Sequence, residues 1–192
     1  MDRTATRVVR RVCATTAAAA LMACSPTFDW REIRIDKDAA ASAMPNAAAS
    51  ATLSAMFPCK PDRHARPIEL NNRRTTMQMA VCTAGGATFA LSAAAVTEPA
   101  ATSAGLLQLR AAAVANVHGE APALTPWRVA GMTPSAESAR LSIRGRLPDG
   151  APVIEHAAFF VQGLMLYQAS VIGAKPNPEA VETFLAGLKF VP

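Results

Sequence analysis

The sequence predicts an α+β domain built on an antiparallel sheet, and three observations carry that prediction. Alternating apolar and polar residues cluster in two runs, residues 52–93 and 127–172. Each run is followed by a stretch with helical spacing, residues 99–118 and 177–190. Within a run, the strands are separated by turn signals too short for a parallel crossover, so neighbours must be antiparallel. The expected result is about seven strands in two meanders, with two main helices packed on the sheet. A chain of 192 residues suits one such domain with appendages.

The first element in order is not structural. Arg3, Arg7, Arg10 and Arg11 precede an apolar run of 12 residues, Val12 to Ala23. That run is too short to span a bilayer, which takes about 20 helical residues. Basic residues followed by a short apolar run are the pattern of an export signal, assigned here to residues 1–23. An amphipathic helix is the alternative, but its arginines would interleave with the apolar residues. No later stretch reaches spanning length without charges, so no permanent transmembrane helix is expected.

Residues 21–24, Leu-Met-Ala-Cys, resemble the lipobox of bacterial lipoproteins. A large aliphatic residue stands three before the cleavage point, a small one just before it, and the cysteine just after. Met22 is bulkier than the residue usual at its place. The resemblance implies that the Cys24 thiol, a strong nucleophile, takes the lipid. Ser25 follows and is not acidic, which by analogy implies the periplasmic face of the outer membrane. The alternative is an ordinary cleavage site beside an incidental cysteine. Cleavage would leave 15 basic against 13 acidic residues, a net charge of about +2 in place of the formal +5. Most of the basic excess is export signal, so composition gives no case for a nucleic-acid partner.

Residues 24–51 read as a lipidated arm and tether, and residues 52–192 as the domain. Within the arm, Ile33 and Ile35 share one face of a short edge strand. Residues 36–51 are poor in bulky side chains and read as a loop, although their alanines also permit a short helix. Residues 52–57 place Leu53, Ala55 and Phe57 on one face before Pro58 and Pro61 break the run. Residues 63–70 return as an edge strand, since Pro67 cannot donate to a ladder. Asn71-Asn72 and Gly85-Gly86 mark hairpin turns on either side of residues 76–82. Residues 88–93 complete a four-stranded meander.

Leu106, Leu109, Ala113 and Val117 then form a helical stripe that Gly119 would end. In residues 140–147, Leu141, Ile143 and Leu147 alternate with Arg140, Ser142, Arg144 and Arg146. Pro148-Asp149-Gly150 is a turn, followed by strands at 153–161 and 164–172, the second almost wholly apolar. The last helix is marked by Asn177 as cap, Pro178 in the first turn and Glu179 at the positive end.

The stretches Asp29–Glu32 (DWRE), Phe57–Pro61 (FPCKP) and the closing LYQASVIG and FLAGLKF resemble uncharacterised lipoproteins of proteobacteria. The element order is more distantly similar to the PsbP-like α/β/α sandwich, a fold shared by a photosystem extrinsic subunit and a GTPase-binding import factor. These likenesses imply a non-catalytic binding or accessory role in the cell envelope. An envelope protein or peptidoglycan is a candidate partner, and no cofactor is expected.

The cysteines point to one bridge. Cys13 leaves with the signal and Cys24 takes the lipid, so Cys59 and Cys82 remain in an oxidising compartment. If residues 63–70 hairpin with 74–82, Cys82 lies beside the start of that strand, where the Cys59 turn sits. Two independent thiols are the alternative. His64, His118 and His156 have no metal-ligand spacing, and no metal site is expected. Arg140, Arg144 and Arg146 form a basic stripe, read either as a solvated face or as a surface for an anionic partner. Glu155, His156 and Tyr167 fall on neighbouring strands, which makes an envelope enzyme with a site near His156 and Tyr167 the competing reading. No nucleophile motif or phosphate loop accompanies them.

Overall fold

A computed structural model describes residues 27–35, 52–120 and 123–191. Cys24, the export segment and the expected tether at 36–51 lie outside the described residues. Strands and helices are numbered in chain order: β1 (Arg31–Ile35), β2 (Thr52–Phe57), β3 (Asp62–Leu70), β4 (Arg73–Ala84), β5 (Ala87–Ala95), α1 (Ala101–Asn116), β6 (Thr125–Pro126), β7 (Ala139–Arg146), β8 (Pro152–Gln162), β9 (Met165–Gly173), α2 (Pro178–Ala186) and β10 (Lys189–Val191).

The hairpins form where the turn chemistry demands them. Asn71 and Asn72 take φ values of 52° and 58°, and Gly85 and Gly86 take 57° and 74°. Two successive positive φ values match the twist of the flanking strands. The turns therefore fix the β3–β4 and β4–β5 registers. Gly150, at φ 85°, closes the β7–β8 turn. At the start of α2, Asn177 Oδ1 accepts from the backbone N–H groups of Glu179 and Ala180, at 2.9 and 3.2 Å.

The seven-stranded sheet runs β3-β4-β5-β9-β8-β7-β6, entirely antiparallel. The two meanders are stitched together by β5 and β9, with Phe89 opposite Val171. Period-two alternation gives this sheet two apolar faces, each with its own cover. On the first, Phe89, Leu91, Phe160, Tyr167 and Val171 pack against α2 and a small sheet, β1-β2-β10. On the second, Met77, Leu141, Ile143, Phe159 and Leu166 pack beneath Leu106, Leu109 and Ala113 of α1. The chain is thus an α+β fold of three layers.

Four expectations are corrected. Residues 52–57 leave the first meander, because β2 lies centrally in the small sheet between β1 and β10. Its non-alternating burial follows: Ser54 is as buried as Leu53 and Ala55. The last helix ends at Ala186, and Lys189–Val191 pair with β2 as a strand.

The arm belongs to the folded unit, so that unit starts well before residue 52. Trp30 meets Phe89 edge-on at 6.4 Å, Asp29 N–H donates to Pro58 O at 2.8 Å, and β1 pairs with β2 along its length.

Finally, His118 and not Gly119 ends α1. His118 takes φ 47°; its N–H reaches Ala115 O, and Gly119 N–H reaches Val114 O. That is the paired bonding of a Schellman end. Gly119 is required for a different reason, since a Cβ there would stand 2.3 Å from Ile143 Cγ2.

Candidate functional site

The basic stripe does not act as a unit. Arg140 Nη1 donates to Glu182 Oε2 at 2.9 Å, and its guanidinium lies 5.3 Å from the centre of the Trp127 ring. The hydrogen bond from Arg140 holds the Glu182 carboxyl below its usual range. Arg146 Nη1 donates to Gly150 O at 3.0 Å and so braces its own turn. Arg144 is exposed on the strand between them. Two of the three arginines therefore have structural partners within the chain.

Glu155, His156 and Tyr167 do not converge. Successive strand residues point to opposite faces, so Glu155 enters the face under α1 while His156 projects from the other. Tyr167 shares the face of His156, but its register partner on β8 is Phe160. That position is four residues from His156, about 13 Å along the strand. The Tyr167 ring stacks on Phe160 at 5.2 Å, and burial pushes its hydroxyl up to about 12. His156 is held below its ordinary value, first by burial and then by Arg140. Glu155 is 2% exposed, and its carboxyl is pushed up to about 7 by loss of solvent despite a hydrogen bond from Gln168. Among the described residues, no group of three or more His, Cys, Asp and Glu side chains is placed to hold a metal ion.

Cys59 and Cys82 sit at disulfide-bonding distance, with Cα atoms 6.1 Å apart. The hairpin argument places them correctly: β3 begins just after Cys59, and Asp62 is opposite Val81. The pair lies at the end of the sheet where the arm also docks, since Phe28 covers Gly85 at the β4–β5 tip.

The opposite end of the sheet holds a feature that sequence reasoning missed. There the β3–β4 hairpin overhangs: β4 pairs with β5 only from Met77 onward. Residues 73–76 run past the end of that ladder, beside the β5–α1 connection. A cleft of about 520 Å³ lies between them, lined by Asn71, Arg73, Arg74, Thr76, Thr97 and Glu98 among others. Its walls are fixed by ordinary bonds. Asn71 Nδ2 donates to Ala101 O at 2.8 Å, Gln108 bridges to the backbone of Asn71 and Glu69, and Thr75 Oγ1 donates to Ala95 O at 3.2 Å. The available signal was the pair Arg73-Arg74 directly after a hairpin turn. Its meaning depends on β4 outrunning β5, which no local pattern encodes.

Comparison with known proteins assigns no family. No protein-family model matches the chain, and no curated protein matches it. A crystal structure from Bacteroides thetaiotaomicron VPI-5482 is similar, with a TM-score of 0.39 and 10% identity. The similarity covers 73% of this chain and 45% of that one, so this chain matches less than half the length of that protein.

Proposed function

We propose that this protein is an exported envelope lipoprotein, anchored through Cys24 at the periplasmic face of the outer membrane, with a non-catalytic binding or accessory role. The observation that carries this reading is the disposition of the two ends of the large sheet. Phe28 and Trp30 fasten the arm at the β4–β5 end, and Thr27 is three residues from Cys24. Three residues reach at most about 10 Å. The cleft opens at the other end of β4, about 35 Å along the strand. An anchor and a binding mouth at opposite ends suit a protein held by one end and presenting the other. The Cys59–Cys82 geometry supports an oxidising compartment. Helices on opposite faces of the sheet support the PsbP-like affinity, which belongs to the same proposal.

The test is fractionation of the native protein beside Cys24→Ser, with mass measurement of the N-terminal peptide. The expected result is a membrane-bound, acylated native chain and a soluble, unacylated variant. A variant that stays in the pellet with its acyl mass sinks the proposal. Thiol counting on unreduced, denatured native protein is the second arm. It should find no free thiol at Cys59 or Cys82, and two free thiols would remove the compartment argument.

A further inference from the structure

We propose that the protein stands on its membrane by one end of the large sheet, with Leu147 of the β7–β8 turn set into the interface of the leaflet that holds the lipid. This rests on the Cys24 anchor proposed above and names the surface that the anchor brings to the bilayer.

First, the tether is short. Thr27 and Phe28 lie on the β4–β5 tip: a Cβ at Gly85 would stand 2.6 Å from Phe28 Cζ and 3.5 Å from Thr27 Cγ2. Cys24 is three residues before Thr27. Three residues span at most about 10 Å, so the lipid-bearing residue stays at this end of the sheet.

Second, the register brings another turn to the same end. Gly173 of β9 is opposite Ala87 of β5 on one side and Ile154 of β8 on the other. The β4–β5 turn adjoins Ala87 directly. β8 continues two residues past Ile154, to Pro152 opposite Arg146, before its own turn begins. The β7–β8 turn therefore reaches further out, by about 7 Å of strand. The two turns are three strand spacings apart, about 15 Å across the sheet. Both tips face open space, since a Cβ added at Gly86 or Gly150 would meet nothing within 4 Å.

Third, the longer turn carries an apolar tip. Leu107, Leu124 and Leu147 are the exposed large hydrophobic residues among those described. A lone exposed leucine marks nothing by itself. Leu107 lies in the first half of α1, which starts beside Asn71 at the opposite end of the sheet. Leu124 precedes β6, on the outer edge of the first residues of β7. Leu147 stands at the tethered end, 39% exposed, with Pro148 exposed beside it and no N–H there to desolvate.

Charge does not supply the contact. Around this turn the exposed cations Arg144, Arg146 and Lys175 are matched in number by the exposed anions Glu120, Asp149 and Glu179. A turn that enters the interface by apolar residues, beside a lipid anchor, holds its place whatever the headgroup charge.

The experiment places the native full chain in nanodiscs whose lipids carry a nitroxide on the acyl chain, and reads the backbone amide signals. The acyl mass of the same sample is measured first. The amides of Leu147, Asp149, Gly150, Gly85 and Gly86 should lose intensity, while those of Asn71, Asn72 and Leu107 keep theirs. Leu147→Ser should restore signal at Asp149 and Gly150 and leave Gly85 and Gly86 broadened. Leu107→Ser should change neither group. Both positions are exposed, so both variants should fold as the parent does. The pattern should be the same in phosphatidylcholine alone and with phosphatidylglycerol added. An acylated chain whose β7–β8 turn stays sharp, or whose Asn71, Asn72 or Leu107 signals broaden as much, overturns the orientation and leaves the anchor standing. So does broadening that Leu147→Ser leaves untouched, or that appears only with phosphatidylglycerol. An unacylated native chain overturns the anchor and this inference with it.

Discussion

The two faces of the seven-stranded sheet are covered by different materials. The face under α2 and the small sheet is aromatic: Phe57, Phe89, Phe160, Tyr167, Phe184 and Phe190 form one cluster. Phe184 meets Phe57 at 5.1 Å and Phe89 at 5.5 Å, both edge-on. The face under α1 is aliphatic, with Phe159 as its buried ring, and it carries polar residues as well. Ser92, Ser170 and Glu155 are buried on it, and Arg110 of α1 is buried while donating to Glu137 Oε2 at 2.6 Å. The lesson is that one sheet can have an aromatic face and a second, aliphatic face that takes in a buried carboxyl and a buried guanidinium. A chain with few aromatic residues achieves this by concentrating them on one side.

The largest test of that contrast compares truncations on the two faces. Phe184→Ala should cost about 4 kcal/mol and Leu106→Ala about 3 kcal/mol, read from denaturant midpoints at pH 6. A larger loss at Leu106 would reverse the ranking of the faces.

The next test uses pH. Glu155 has its carboxyl raised from 4.5 to about 7. The folded state therefore holds a proton that the unfolded state releases more readily. Its contribution is fully present below pH 4.5 and is lost as pH rises through about 7. Glu155→Gln should match the native chain at low pH and exceed it by about 3 kcal/mol at pH 8.5. Parallel unfolding curves at all pH values would show that the face under α1 is better solvated than described.

The smallest effect is at the rim of the aromatic face. Arg140→Gln breaks an exposed ion pair and a contact with Trp127, and should cost no more than about 1 kcal/mol. Its diagnostic readout is NMR titration of His156, whose pKa should rise when the nearby positive charge is removed. No movement would separate the two side chains.

How much of this was legible depended on the range of the interaction. Turns written in two residues, Asn71-Asn72 and Gly85-Gly86, placed three strands and made the Cys59–Cys82 pairing derivable. The Asn177 cap likewise placed α2. Features decided by distant partners were not legible. β2 looks like a strand of the first meander until Ile33, Ile35 and Phe190 are seen to need it as their centre. Gly119 looks like a helix end, but its small size serves Ile143 on another element. Arg140, Arg144 and Arg146 share a strand face, yet Glu182 and Gly150 take two of them. The cleft exists because two neighbouring strands differ in length at one end.

The stitch between β5 and β9 has a consequence for how the chain is made. Phe89 pairs with Val171, and the last strand, β10, pairs with β2. A ribosome delivers the N-terminal half first, so β3-β4-β5 can assemble early with the β5 edge open and its aromatic face bare. An unpaired apolar edge is a template for other chains. The large sheet closes only when β9, ending at Gly173, arrives, and the small sheet only when β10 does; such long-range pairing is slow. The chain therefore carries an adhesive half-sheet from the completion of β5 until β9 arrives, and its yield should depend on whatever shields that edge in the interval.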